Sequence, residues 1–170
     1  MLFLAYQLNL ISQIPPSTSI LNRNWGTYIG GNSSEGIPGG LVLDSIGNIY
    51  ISSSTRSNNN FGTPGTHLNS FSNCSSGIST YNAYLMKLDS NGNQLWGTYF
   101  GGACYDVEGK TCAVDKFGNV FLAGKTKAPS GGAPISSLGS HQENYGGGTF
   151  DGFLAKFDNS GNLLWATYYG

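Results

Sequence analysis

The sequence predicts an all-β protein built from repeats of about 70 residues. One phrase occurs twice, as NAYLMKLDSNGNQLWGTYFGG at 82–102 and as DGFLAKFDNSGNLLWATYYG at 151–170, and its tail appears alone as WGTYIGG at 25–31. The tryptophans of the three segments therefore recur at a nearly constant spacing. The chain also has 26 glycines, short apolar runs and no long window of helical periodicity. Short strands separated by glycine-rich turns are typical of all-β proteins.

The composition excludes several classes of partner. Charged residues make up 10% of the 170 residues, and the net charge is −1. A protein that grips nucleic acid needs a basic stripe, which eight scattered Lys and Arg residues cannot make. The sequence also lacks a basic amphipathic run for a membrane surface. We therefore expect neither nucleic-acid binding nor membrane insertion, and the sequence indicates no cofactor.

Two hairpins make up each repeat, and we name their four strands A, B, C and D. Residues 39–55 predict strands A and B of the first unit, and residues 110–126 predict those of the second. The recurring phrase supplies strands C and D. Each tight turn carries a glycine that can adopt a positive φ: Gly47, Gly92, Gly118 and Gly161. Because tight and long connections alternate, we expect all tight turns on one face and all long loops on the other.

Apolar residues occupy both sides of the predicted strands. Phe121, for example, lies between Val120 and Leu122. A sheet with one solvated face would alternate apolar with polar residues. Sheets covered on both faces are typical of the stacked blades of a β-propeller, although a sandwich and a solenoid remain alternatives. The expected fold is therefore a partial propeller of four-stranded antiparallel blades, with two complete blades plus one extra strand.

The predicted organisation has four segments. Residues 1–24 begin with an apolar stretch that is too short to span a membrane, which takes about 20 residues. Its length suits a degenerate signal peptide without a basic start, and an irregular strand is the alternative. Residues 25–38 form the orphan outer strand and its loop. Residues 39–109 form blade 1 with its outgoing loop, and residues 110–170 form blade 2.

Three motifs of the chain resemble the bacterial β-propeller repeat family known as SBBP. They are W-x-T-Y-x-G-G, x-V-D-x-x-G-N-V-Y/F-L-A-G-x-T and G-S-H-x-x-x-Y-G-G-G-T-x-D-x-F-L-x-K-F. The resemblance covers about residues 25–170 and is closer in the second unit. Ser53 stands where the family tends to have Gly, and Asn82 stands where it has Asp. The resemblance implies a propeller from large secreted or surface-attached bacterial proteins, with no catalytic motif to carry over.

Two complete blades do not close a ring, since propellers have about four to eight. Either the chain is a fragment of a longer propeller, or copies assemble, for example three copies making six blades. The fragment is favoured, because the chain finishes on a D strand of its own and the last blade has no vacancy. The expected partners are further propeller blades, in the same longer chain or in a homo-oligomer.

The function expected from these features is non-enzymatic. We expect a structural or protein-interaction role in a secreted or cell-surface bacterial protein, with lectin-like carbohydrate binding as the alternative. Binding residues concentrate in loops. The aromatic residues that could bind a protein or a glycan there, or else pack the loops onto the blades, are Phe71, Tyr81, Tyr105 and Tyr145.

The three cysteines match neither a dense disulfide scaffold nor a metal site with paired CxxC motifs. Cys74 and Cys104 lie in loops of the same face near one blade boundary. They are therefore a candidate disulfide if the protein is exported, and free thiols are the alternative. Cys112 falls inside strand A, where we expect a buried free thiol.

Other residue groups have a structural interpretation that we favour over a chemical one. DSNGN at 89–93 and DNSGN at 158–162 resemble calcium loops, but an EF-hand has its glycine one position later and a distant Glu. Asx hydrogen bonds and a left-handed glycine explain the same residues as hairpin turns. No metal site is therefore expected.

Nucleophilic and acid–base chemistry has equally weak signals. His67 and His141 occupy matching places in the long loops, so a structural role is favoured over a Cys/His pair with Cys104. Asp106 and Glu108 are two residues apart on one loop and do not make the paired carboxylates of a hydrolase. The sequence therefore indicates no catalytic residue.

Overall fold

The computed structural model describes residues 25–37, 39–74, 80–127 and 135–170. Residues 1–24, where a secretion signal was weighed against an irregular strand, lie outside the described residues. Within the described ranges all regular structure is β-strand, and no helix there is long and apolar enough to cross a membrane.

The strands form two four-stranded antiparallel sheets, each paired in chain order. Blade 1 contains β1 (Gly40–Leu43), β2 (Ile49–Thr55), β3 (Asn82–Leu88) and β4 (Gln94–Phe100). Blade 2 contains β5 (Asp106–Val114), β6 (Val120–Lys127), β7 (Asp151–Phe157) and β8 (Leu163–Tyr169). This arrangement confirms the predicted all-β fold and its four-stranded blades. The segment boundary drawn at residue 110 falls inside β5, because the ladder with β6 continues back to Asp106 past an irregularity between Gly109 and Thr111.

The four tight turns share one hydrogen-bonding pattern, which fixes the register of each hairpin. In the first, the Gly47 amide donates to the Asp44 carbonyl at 3.1 Å, with φ of +86° at the glycine. The Asp44 carboxylate accepts hydrogen bonds from the Ile46 and Asn48 amides. The same bonds recur around three further aspartates: Asp89, Asp115 and Asp158. These are the Asx turns that the sequence predicts.

The two blades pack face to face and share one hydrophobic core. Phe100 of blade 1 lies 5.1 Å from the ring of Phe153 and 5.8 Å from that of Phe157, both in blade 2. The backbones of the two A strands, β1 and β5, which we call the inner strands, approach each other more closely. A Cβ on Gly40 would lie 2.6 Å from the backbone nitrogen of Cys112. Cys112 is a free thiol at this contact between the blades, which we call the seam, and it is half-buried rather than buried as predicted.

Burial differs between matching strands of the two blades. All seven residues of β3 are buried, because blade 2 covers one side and the long loop of blade 1 covers the other. In β7, buried residues alternate with half-buried ones. The predicted coverage on both faces therefore holds for β3 of blade 1, whereas blade 2 is covered only on the side that contacts blade 1.

The structure corrects the predicted extra strand. Residues 25–31 are not part of any strand, and the sheet of blade 1 contains only its own four strands. A strand is maintained by pairing with a neighbour, and the described residues offer this segment no strand C of its own blade. Beyond it, Glu35 forms an isolated bridge with Thr55.

Candidate functional site

The outward side of blade 2 carries an open apolar groove. Its volume is about 570 Å³, and its lining consists of Leu154 from β7, alternate residues of β8 and the loop before β7. We call this surface the open face and define it by six of the lining residues: Leu138, His141, Leu154, Trp165, Thr167 and Tyr169. It lies on the side of blade 2 that faces away from blade 1.

The matching surface of blade 1 is fully covered. Trp96 is 8% exposed and Phe100 is 1% exposed, because both pack against blade 2. One repeat later, Trp165 is half-buried and Tyr169 is 74% exposed. The same residue types at the same strand positions therefore differ in burial according to whether a following blade is present. The open face is a blade-packing surface without its neighbour.

The contacts of the covered surface show how blade 2 binds the D strand and the long loop of blade 1. The Trp96 indole Nε1 donates to the Asn159 carbonyl at 2.8 Å, in the C–D turn of blade 2. A Cβ on Gly161 would lie 3.0 Å from the same indole ring, so glycine leaves the space in which the ring lies. The His67 amide donates to the Gly161 carbonyl at 3.0 Å. We call the C–D turn of a blade, here residues 158–162, its socket.

A buried cation strengthens the same contact. Lys87 is buried in β3, and its Nζ donates to the Asn159 Oδ1 at 2.5 Å. The Nζ also lies 5.2 Å from the centroid of the Tyr50 ring. Burial lowers the pKa of Lys87, and the charge of Asp44 opposes that shift. An amide oxygen and an aromatic face thus replace the water that the ammonium group loses.

The segment 25–31 occupies the corresponding socket of blade 1. The Trp25 Nε1 donates to the Ser90 carbonyl at 3.0 Å, and a Cβ on Gly92 would lie 3.0 Å from the Trp25 ring. Ile29 packs against the second core cluster of blade 1, at the position that Phe100 takes one repeat later. The segment therefore lies where the D strand of a preceding blade would lie. Trp25 is buried less deeply in its socket than Trp96 is, since Trp25 is 42% exposed.

Strand β1, the inner strand of blade 1, is also uncovered on the side that faces away from blade 2. Leu41 is 66% exposed, and Leu43 is exposed as well. Their counterparts one repeat later, Cys112 and Val114, pack against the core that the two blades share. The two-blade unit therefore has an unpartnered apolar surface at each end.

Two of the four loop aromatics pack on one tyrosine of blade 2. Tyr105 is buried in the shared core, where burial and then the neighbouring Tyr168 raise its pKa to about 12. The Tyr145 ring is half-buried and lies 6.1 Å from the Tyr168 ring in an edge-on arrangement. Tyr105 therefore has no free ring face for a ligand in this structure.

The other two aromatics hold the long loop and the end of blade 1. The Phe71 ring lies 5.8 Å from the Tyr99 ring in an edge-on arrangement. The Arg56 guanidinium lies 4.1 Å from the centroid of the Tyr81 ring. Both aromatic side chains are half-buried. The four candidates thus pack in three places: Tyr105 and Tyr145 share Tyr168, Phe71 contacts Tyr99, and Tyr81 contacts Arg56.

The residues considered for nucleophilic chemistry have structural partners. Cys74 and Cys104 are joined by a disulfide that ties the long loop of blade 1 to the connection between the blades. His67 lies 6.1 Å from the ring centroids of both Phe100 and Phe157, and burial lowers its pKa. Cys104 is therefore not a thiol that His67 could activate.

The carboxylates considered for hydrolysis are also engaged. The Asp106 Oδ1 accepts a hydrogen bond from the Tyr81 amide at 2.9 Å. Glu108 pairs with Lys110 at 2.6 Å and with Lys125 at 3.1 Å. Burial acts to raise the pKa of Glu108, but its bonds to the two lysines lower it overall. Among the residues that the structure describes, no cluster of three or more His, Cys, Asp or Glu could hold a metal ion.

Fold and site together define a class: a β-propeller segment whose blades stack through a tryptophan and a glycine socket. The family comparison agrees. Residues 95–129, which run from strand β4 through the end of β6, match the model of the beta-propeller repeat family SBBP. This match confirms the resemblance seen in the sequence motifs. No curated protein matches the chain.

The open face was not among the sites predicted from the sequence. Trp165 and Tyr169 belong to the recurring phrase and were treated there as evidence for the repeat alone. The repeat contained the information needed to predict the open face. Residues that form the seam between blades 1 and 2 recur on the side of blade 2 that faces away from blade 1. In each pair of repeated residues, the copy that lacks a neighbouring blade is the more exposed one.

Proposed function

We propose that this chain is a non-enzymatic β-propeller repeat module that acts by stacking against further blades. Its role is structural or one of protein interaction, in a secreted or cell-surface bacterial protein. The observation that carries the proposal is the contrast between Phe100, at 1% exposure, and Tyr169, at 74%. A surface that is buried wherever a following blade is present is suited to receiving one.

The hydrophobic effect supplies the driving force for such stacking. A large aromatic side chain buries about 150–250 Å², and buried apolar area contributes roughly 25 cal/mol per Å². Covering Tyr169 alone is therefore worth on the order of 3 kcal/mol. The indole of Trp165 adds a hydrogen-bond donor, which the equivalent Trp96 uses in the seam between the blades. The open face is thus both apolar and specific in geometry.

The non-enzymatic part of the proposal is supported by the engagement of the reactive side chains. Cys104 is in a disulfide, and His67 lies between the blades. Asp106 and Glu108 bond to neighbouring backbone and lysine groups. None of these four combines a partner for proton transfer with an open substrate pocket.

Secretion or surface attachment is supported by two observations. The Cys74–Cys104 disulfide is of the kind that forms and persists in oxidising compartments. The SBBP motifs resemble those of secreted or surface-attached bacterial proteins. Mass mapping without reductant, on protein isolated from its native host, tests this point: the linked peptide is expected, and both cysteines alkylated would contradict it.

Lectin-like carbohydrate binding is the alternative, and the geometry supports it less. Tyr105 is buried, and the half-buried rings of Phe71, Tyr81 and Tyr145 pack in separate places. A glycan array tests it directly. Binding that is lost in Tyr145→Ala and retained in Trp165→Ala would favour the loop aromatics over the open face.

The central experiment supplies a following blade in the same chain. A copy of residues 31–102 is appended after Gly170, so that WATYYG takes the place that WGTYIG has before blade 1. Trp165 is then followed by a blade 1 copy whose socket binds Trp25 in the native chain. Hydroxyl-radical footprinting reads the exposure of Trp165 and Tyr169, whose peptide is not duplicated by this design. Labelling of both residues is expected to fall severalfold, to the level of Trp96.

A second variant blocks the socket and, because the glycine has a φ of +84°, also strains the turn that forms it. In the appended copy, the glycine equivalent to Gly92 is replaced by valine, whose side chain would enter the space of the indole ring. Labelling of Trp165 is expected to return to that of the unextended chain. If the unblocked extension leaves Trp165 and Tyr169 as reactive as before, the stacking function is wrong.

A further inference from the structure

We infer that the open face of one copy receives blade 1 of a second copy, so that the chain assembles head to tail. This inference rests on the proposed function, because it uses the same face and names its partner. Three features of the described residues carry it: a donor surface on blade 2, an acceptor surface on blade 1, and a segment of the chain that already occupies part of the acceptor.

The acceptor surface is complementary to the open face because blade 1 repeats the socket of blade 2. Trp96 binds the Asn159 carbonyl beside Gly161, and Trp25 binds the Ser90 carbonyl beside Gly92. Both sockets thus receive an indole in the same way. Trp165 of one copy therefore has a matching seat on blade 1 of the second copy.

The inner strands extend the same match. Cys112 lies against blade 1, with its Sγ 3.8 Å from the Tyr50 carbonyl. Its counterpart Leu41 is 66% exposed and would meet the same region of a preceding blade 2. Two positions differ: Lys110 and Thr111 stand where blade 1 has Gly39 and Gly40, and a Cβ fits at neither glycine. The inner strands of two copies therefore lie further apart than those within one chain.

The segment 25–31 competes for this seat. It places Trp25 in the socket of blade 1, yet Trp25 remains 42% exposed, compared with 8% for Trp96 in the complete seam. A whole blade brings the additional apolar surface of Leu154, for which the segment has no counterpart, and a tyrosine in place of Ile29. The second copy therefore displaces a weak internal occupant, and the segment limits assembly at low concentration.

Head-to-tail contacts of this kind join different surfaces, and they generate a ring when the rotation closes. Each copy contributes two blades, and propellers close with about four to eight. The expected assembly is therefore a ring of two to four copies, with an even number of blades.

The test measures the mass of the full chain by sedimentation velocity across micromolar concentrations. The expected result is reversible assembly of the 18.0 kDa chain into a discrete small oligomer. Two variants block one surface each: Tyr169→Glu on the open face and Leu41→Glu on the acceptor. Both side chains are largely exposed in the single chain, so the substitutions leave its fold intact. Each variant alone is expected to be monomeric, with association weakened at least about 100-fold.

Mixing the two variants gives the decisive measurement. The Leu41→Glu chain keeps an intact open face, and the Tyr169→Glu chain keeps an intact acceptor. An equimolar mixture should therefore form a one-to-one dimer and nothing larger. Leu164→Glu is the matched control: Leu164 is 51% exposed, and its counterpart Leu95 has the same exposure although blade 2 is beside it. That position lies outside the seam, so the control should assemble as the unaltered chain does.

Removing the internal competitor gives an independent check. Trp25→Ala should tighten association by about tenfold, because the socket is then vacant and one hydrogen bond fewer must break. Replacing Lys110 and Thr111 together by glycine should also tighten it, since the pair restores the close approach that Gly39 and Gly40 allow.

The inference is overturned by an unaltered chain that stays monomeric, by oligomers that persist in both glutamate variants, or by a mixture that does not dimerise. If the appended blade protects Trp165 while the chain stays monomeric, the stacking function holds and only the second copy is excluded. If neither experiment covers Trp165, the proposed function fails as well.

Discussion

The three tryptophans allow the contribution of a neighbouring blade to be measured within one molecule. Trp96 lies in a complete seam, Trp165 lies on a face that no other described blade covers, and Trp25 fills a socket without the rest of a blade. The prediction compares Trp96→Ala with Trp165→Ala. The residue removed and its strand position are the same, so the difference reports the seam.

The magnitude follows from burial. Replacing a well-buried tryptophan by alanine costs about 3–5 kcal/mol, which includes the cavity left behind. Trp96 is 8% exposed and also donates a hydrogen bond to Asn159, so its loss falls within this range. Trp165 is half-buried, and its indole contacts Phe121 at 6.3 Å between ring centroids. Its replacement should cost about 1–2 kcal/mol, because less area returns to water.

The assay is urea unfolding followed by far-UV circular dichroism, at a concentration where the chain is monomeric. The free energy of unfolding should fall by about 1–4 kcal/mol more for Trp96→Ala than for Trp165→Ala. Equal losses for the two variants would refute the argument that the seam, and not the strand position, stabilises the tryptophan. Trp25→Ala should cost no more than Trp165→Ala.

Three further predictions concern the links that hold the two blades. Cys74→Ser should lower the free energy of unfolding by about 3–4 kcal/mol, because the Cys74–Cys104 bridge closes a separation of 30 residues. Urea midpoints that match with and without reductant would contradict this. Gly40→Ala should cost about 1–3 kcal/mol, since the added Cβ would meet the backbone of Cys112. Gly30→Ala, with its nearest atom at 3.7 Å, is the matched control and should be nearly neutral. Burial lowers the pKa of His67, so its contribution is complete above the unfolded value of about 6.5 and is lost as the pH falls through the folded value. Stability measured against pH should therefore drop less below pH ~6.5 in His67→Leu than in the unaltered chain.

The features that the sequence predicted correctly are those decided within a few residues. Each tight turn has its aspartate, asparagine and glycine within five positions, so local hydrogen bonds determine it. The four-stranded blades follow from the same hairpins and from apolar residues on both strand faces. Neither feature needs knowledge of what lies beyond the repeat.

The features that the sequence did not predict depend on neighbours. Residues 25–31 have the composition of a D strand, but strand formation also requires a pairing partner, which the described residues do not provide. The pairing of Lys87 with Asn159 joins positions 72 residues apart and depends on how the blades are stacked. The exposure of Tyr169 likewise depends on an absent neighbour and not on its own sequence context.

The glycine beneath each indole has a consequence for how such a gene can change. The seam between the two described blades joins strands A and D and the long loop of one blade to the next blade, so interactions are essentially nearest-neighbour. Duplication or loss of a whole unit by recombination keeps each tryptophan matched to a glycine. A break inside a unit would leave an indole facing the wrong turn, so length is expected to vary in steps of one complete blade.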